Sequence, residues 1–357
     1  MSSGSFVIPR IIETHLEEIS TLYLQWCDES ELAALPSSGA DLSWLKKLRR
    51  RIDAHLDGLV ASGDAGWNIA APFMLSEDEG EYFAIALLAF ERNVPQIKDV
   101  VEGALESTAL YRAQADAFAW RKSGSREQWA ARFARSTRLE LRSLCLHYLW
   151  HNPDSSARAI FDADWLDLQH RTITDAYAQA GVVLPVLMED LRKFRRVDLV
   201  PLLRKLNDTE VSERNYHPLS TRVMIGDTTA LDELKCFVLE HNEYQEQATE
   251  LCFSRYGFDR AKMLLAELRA TGGHERCAII AVGAMRAKPL LPWLLKQMAR
   301  PESARLAGQA WARVMGVDLA EQGLVLDDDS LDEAWLDFDG DEHLPWPDSE
   351  KIRRLTG

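Results

Sequence analysis

The feature that most constrains this chain is a repeated pair of apolar-striped segments in its C-terminal half. Leu231 to Glu240 carries a helical stripe, His241 to Glu243 is a polar turn, and Tyr244 to Tyr256 is a second helical segment ending at Gly257. The plan recurs from Ala261 to Ala270 and Glu275 to Met285, broken by Thr271-Gly272-Gly273. It recurs again from Lys288 to Arg300 and Ala304 to Met315, broken at Pro301 to Ser303 and stopped by Gly316. The period is about 27 to 32 residues, the range of stacked helical repeats. One such pair cannot bury both apolar faces alone, so neighbours must stack. The helix Cys277-Ala278-Ile279-Ile280-Ala281-Val282 makes the point sharply: it is apolar all round and has to be covered on both sides.

Helical spacing continues elsewhere. The first helix starts near Pro9, a favourable first-turn residue, and carries Ile12, Leu16, Ile19, Tyr23 and Trp26 on one face. Pro36-Ser37-Ser38-Gly39 breaks it. A second runs from Asp41 to Ala61 with Leu45, Leu48, Ile52, Leu56 and Leu59 as its stripe, and two more lie near Trp67 to Leu75 and Asp78 to Arg92. Fainter helix pairs span Val94 to Lys122, Arg126 to Asn152 and Val197 to Asp227, while Asp154 to Phe194 is helical without a clear pairing. No segment alternates as a strand does. The expected fold is all-α: a HEAT-like helical-repeat solenoid over 94–316, an N-terminal helical cap over 1–93, and an acidic linker and docking tail over 317–357.

Charge divides the chain unevenly. The net charge is −15, yet Val314 to Glu350 holds 13 acids and no Lys or Arg, leaving 43 acids against 41 bases elsewhere. A phosphate backbone repels such a chain, so nucleic acid is not an expected partner. No apolar run approaches the length of a membrane span and no secretory signal is visible, so no membrane is expected. Five cysteines without C-x-x-C spacing suit reduced thiols, and a cytoplasmic setting is expected.

Signatures of chemistry are sparse. G-x-S-x-G, the P-loop and G-x-G-x-x-G are all missing from the sequence. His147 and His151 have the i, i+4 spacing of metal ligands, but Tyr148-Leu149-Trp150 lies between them instead of the glutamate of a metalloprotease. His151 also precedes Asn152-Pro153, where a histidine suits the helix dipole. Asp337-Phe338-Asp339-Gly340-Asp341-Glu342 resembles calcium ligands, but its glycine comes fourth, not sixth as in an EF-hand. From the sequence neither pattern is expected to hold a metal, and the chain is expected to need no metal, no other cofactor and no catalytic residue.

Binding surfaces are more legible. On Ala304 to Met315, residues Ala307, Ala310, Trp311 and Val314 fall in one arc and are expected to be buried, which turns Arg305, Gln309 and Arg313 to the opposite side. Glu246 and Glu250 lie likewise on Tyr244 to Tyr256. Second helices commonly line the inner face of such arrays, so these five are candidate partner contacts. The basic run Lys46-Lys47 and Arg49-Arg50-Arg51 points outward from its helix, and Arg50 and Arg51 join the candidates as a docking surface for an acidic partner or for the chain's own C-terminal segment. The acidic stretch Asp327 to Glu342 cannot pack well by itself. Pro345, Trp346 and Pro347 are stiff and apolar, and are expected to dock on the repeat body. Asp348-Ser349-Glu350 favours the start of a short helix carrying Ile352 and Leu355.

Glu13 to Glu29, Asp53-Ala54-His55-Leu56-Asp57-Gly58-Leu59 with Gly66-Trp67, Leu290 to Leu319, and Leu344-Pro345-Trp346-Pro347-Asp348 together resemble a family of bacterial HEAT-repeat-like proteins often encoded beside type VI secretion genes. Ala304-Arg305-Leu306-Ala307-Gly308 with Gly316-Val317-Asp318-Leu319 is the most specific part. The polar stretch Asp208 to His217 departs from the pattern. The resemblance implies no catalytic residue. It implies a protein partner, whether a secreted effector, a toxin or a secretion-spike component. The expected function is a non-catalytic scaffold acting as adaptor or chaperone; the alternative is an immunity protein that blocks a toxin.

Overall fold

The computed structural model describes residues 8–34, 43–159, 164–206, 210–326, 331, 335 and 341–356. The Pro36-to-Gly39 break and most of the acidic stretch Asp327 to Glu342 lie outside the described residues. Those described form an all-α protein without a strand; a single isolated antiparallel bridge pairs Val325 with Pro347. The chain divides into two compact units, Met1–Arg195 and Arg196–Gly357.

In the first unit, α1 (Pro9–Ala34) packs on α2 (Ser43–Ala61), α3 (Gly63–Ala70) and α4 (Glu79–Arg92). Helix α4 explains this arrangement. Its run Tyr82 to Phe90 is buried without interruption, so it must be surrounded, and α1, α2 and α6 (Thr108–Ala119) surround it. Asp78 caps it by accepting from the Glu81 backbone N–H at 2.8 Å. Asn93, at φ 53°, ends it in the left-handed conformation that asparagine tolerates. Short α5 (Ile97–Gly103) precedes α6, whose cap is Ser107. Helix α7 (Gly124–Ala134) pairs with α8 (Leu139–His151), which is again buried almost all round, against α6, α10 (Trp165–Gln179) and α11 (Val183–Lys193). Short α9 (Ser156–Ala159) lies beside α7. The stretch with no clear pairing in sequence thus resolves as the pair α10/α11, both packed on α8.

The second unit begins with α12 (Val200–Lys205) and α13 (Glu213–Met224). Three helix pairs follow: α14 (Ala230–Leu239) with α15 (Gln245–Arg255), α16 (Phe258–Thr271) with α17 (Glu275–Ala284), and α18 (Leu291–Gln297) with α19 (Pro301–Met315). Helix α15 packs on α17 and α17 on α19, so the second helices follow one another in chain order. That accounts for the apolar run Cys277 to Val282 of α17, since the helix has α15 on one side, α19 on the other and α16 as its mate. Gly283 is the point of closest approach: a Cβ there would lie 3.1 Å from both Cα and Cβ of Ala310. Ala307, Ala310, Trp311 and Val314 are all buried. The segment expected as one helix from Lys288 is instead a 3-10 turn, Lys288–Leu290, followed by α18. Pro289 and Pro292 withhold backbone N–H groups there, a loss that a first turn tolerates. A final helix, α20 (Ser349–Thr356), packs on α18.

Candidate functional site: the second-helix face and its tail

Charged side chains cross the face formed by α15, α17 and α19. Arg276, the second residue of α17, donates from Nε to Glu246 Oε1 on α15 at 2.8 Å. Arg313 on α19 donates to Glu250 Oε2 at 2.6 Å, so the predicted residues Glu246, Glu250 and Arg313 take part in one ladder of ion pairs. Gln309, one turn from Arg305 and Arg313, is exposed. The pairs are half-exposed, so each contributes little stability, and their geometry matters more than their energy.

The C-terminal segment is seated on this face. Arg276 grips Asp341 with both Nη atoms, at 2.8 and 2.9 Å, the two-pronged geometry that guanidinium and carboxylate favour. The Arg276 bond holds the Asp341 carboxyl below its usual range, against the opposing effect of burial. Arg305 lies 4.1 Å from the Trp346 ring centroid in a cation–π contact, and Trp335 meets the same ring edge-on at 5.3 Å. Trp346 is 4% exposed. Pro347 packs on Gly308, where a Cβ would come within 2.8 Å of the proline Cβ, so only glycine admits it. Pro345 points to solvent. Backbone bonds from Leu326 N to Trp346 O (2.9 Å) and from Asp348 N to Leu324 O (2.8 Å) fix the register. Asp348 then caps α20 by accepting from the Lys351 N–H at 2.9 Å. Ile352, fully buried, anchors the helix, while Leu355 stays exposed.

Arg50 and Arg51 belong to the first unit and are not part of this face. Both are exposed on α2, with Arg51 3.4 Å from Glu18 on α1. Their neighbour Arg49, also exposed, donates to the Trp120 carbonyl with its guanidinium over the Trp120 ring. Arg276 was not among the residues picked out from sequence, although the repeat points to it: it lies 30 residues after Glu246, at the same place in the next second helix. Asp341 and Gly308 carry no comparable signal, because their partners are set by how the tail returns.

One group of metal-ligating type also stands out among the described residues. Asp116 on α6 and His147 and His151 on α8 bring their donor atoms within 4.8 Å of one another. Burial alone would lower the His147 pKa, but Asp190 and Asp116 outweigh it and raise the imidazole to about 9. Burial, then the neighbouring His147, push His151 down to about 4. No protein-family model, curated protein or solved structure matches this chain.

Proposed function

We propose that the chain is a HEAT-like solenoid serving as a non-catalytic protein-binding scaffold, an adaptor or chaperone for a type VI secretion effector or spike component. The secretion setting rests on the family resemblance. The binding role rests on one observation: the α17/α19 face already holds a peptide segment, the chain's own residues 341–348. What it holds describes what it recognises. Arg276 takes a carboxylate, Arg305 stacks on an aromatic ring, and the flat patch at Gly308 takes a proline. The matching partner is an acidic segment with an aromatic residue and a proline. The stacked order of second helices supports the solenoid, since it makes this face continuous from α15 to α19.

The test is capture of candidate effector and spike proteins on the immobilised chain. Charge reversal of Arg305 and Arg313 should lower affinity at least tenfold while the helical circular-dichroism signal stays unchanged. Equal affinity after both reversals removes this face from consideration. Protection of cells from a co-expressed toxin, with no effect on its secretion, would instead assign the immunity role.

A further inference from the structure

We propose that Asp116, His147 and His151 form a binding site for a divalent transition ion of the zinc class, between helices α6 and α8 of the first unit. Three donors converge: a carboxylate oxygen of Asp116 and one ring nitrogen from each histidine, all within 4.8 Å of one another. Zinc bonds these ligand types at about 2.0–2.2 Å, so closing the group by under about 1 Å would complete the ligation.

The second observation is how each candidate ligand is held. His147 Nδ1 lies 2.8 Å from Asp190 Oδ2 on α11, the carboxylate–histidine arrangement that orients metal-bound imidazoles. This leaves Nε2, on a side chain 5% exposed, facing Asp116 Oδ1 at 3.3 Å without hydrogen-bond alignment. His151 Nδ1 lies 2.9 Å from the His147 backbone oxygen, which can only accept, so Nδ1 carries the proton and Nε2 offers a lone pair. Tyr23 on α1 donates its hydroxyl to Asp116 Oδ2 at 2.9 Å and leaves Oδ1 for the site. Each ligand therefore has its outer polar atom fixed by a partner and its inner atom turned to the others. Four helices contribute, which is more support than a chance histidine pair receives.

Lys193 is the competitor. Its Nζ sits 3.1 Å from His151 Nε2, where a metal would lie, and its side chain is exposed and able to swing into solvent. A cation bound there would displace the Lys193 Nζ from His151 Nε2. Three protein ligands leave a fourth position for water.

The test is a Co2+ titration of the full chain after chelator treatment. One equivalent should give the visible d–d absorption of low-coordinate cobalt, and Zn2+ should displace it. His151→Gln should weaken binding at least tenfold. Because Asp116 and His147 are buried and their variants risk misfolding, the exposed Lys193→Gln is the second probe; removing the competing cation should tighten binding several-fold. His241→Gln, at an exposed histidine in the other unit, should change nothing. Absence of the cobalt band in the folded chain overturns the site, as does a band insensitive to His151→Gln or weakened by Lys193→Gln. The cluster is then a protonated imidazole clamp.

Discussion

Arg126 is fully buried, and the carbonyls of Ala117, Phe118, Arg121 and Leu87 surround its guanidinium. Burial lowers its pKa to about 10, against the pull of Glu91, and it stays charged at neutral pH. Arg126→Met should cost about 3 kcal/mol, because it orphans carbonyls at the end of α6 and leaves Glu91 without its buried partner. Urea unfolding at pH 7 checks this. Asp227 in the second unit is the acid counterpart. Arg204 grips it at 3.0 and 2.8 Å, Thr229 donates at 2.7 Å and Arg222 at 2.9 Å. The Arg204 bonds above all hold its carboxyl well below the usual range; burial opposes them and is outweighed. A carboxyl depressed in the folded state contributes stability that is full above its unfolded value of about 3.9 and is lost as pH falls through the folded value. Asp227→Asn should therefore destabilise the chain at pH 7, and the gap from the unaltered protein should narrow as pH drops below about 4. Melting temperatures of both proteins across that range check the sign; a gap that widens in acid would contradict it.

At the scale of elements, the helices were legible because their apolar stripes recur at three and four residues, and α14 to α19 begin within a few residues of their expected starts. The exceptions have local causes. Two prolines divide the Lys288 segment, and α16 begins at Phe258 because Gly257, in extended conformation, ends the preceding segment. The site was less legible. Glu246, Glu250 and Arg313 follow from helix geometry alone, whereas Asp341, Gly308 and Asp116 meet their partners only through tertiary return of the chain. No spacing rule reaches that far. Gly308 offers a direct check on the tail. An alanine there favours the helix by about 1 kcal/mol, but its Cβ meets the rigid Pro347 ring. Gly308→Ala should displace the tail rather than unfold α19, at a cost of about 1–3 kcal/mol. Faster proteolytic cleavage after Lys351 with unchanged helicity is the expected result; unchanged cleavage would mean that the tail holds without this contact.

For the whole molecule, the charge pattern and the tail belong to one argument. Outside 314–350 the chain is almost balanced, so an acidic partner is not repelled by the body. The acidic segment instead supplies the residue that Arg276 grips. A face that binds its own acidic, aromatic segment binds an external one only in competition with it, and the local concentration of a tethered segment is high. How strongly the tail competes depends on its anchors. Trp346 contributes about 2 kcal/mol from burial, and Ile352 a similar amount, while the half-exposed Arg276–Asp341 pair adds little. Trp346→Ala removes the anchor nearest the face and leaves α20 with Ile352 in place. The full-length variant should melt at a lower temperature. It should also capture an acidic, tryptophan-bearing peptide with the sequence of residues 341–348 more tightly than the unaltered chain, by roughly tenfold if about 1.4 kcal/mol of competition is lifted. Adding Arg305→Glu to this variant should abolish the gain, because the stacking partner is then absent for either segment. A lower melting temperature without gain in peptide affinity would make Trp346 a structural plug, and the α17/α19 face would then be a place where the chain closes on itself.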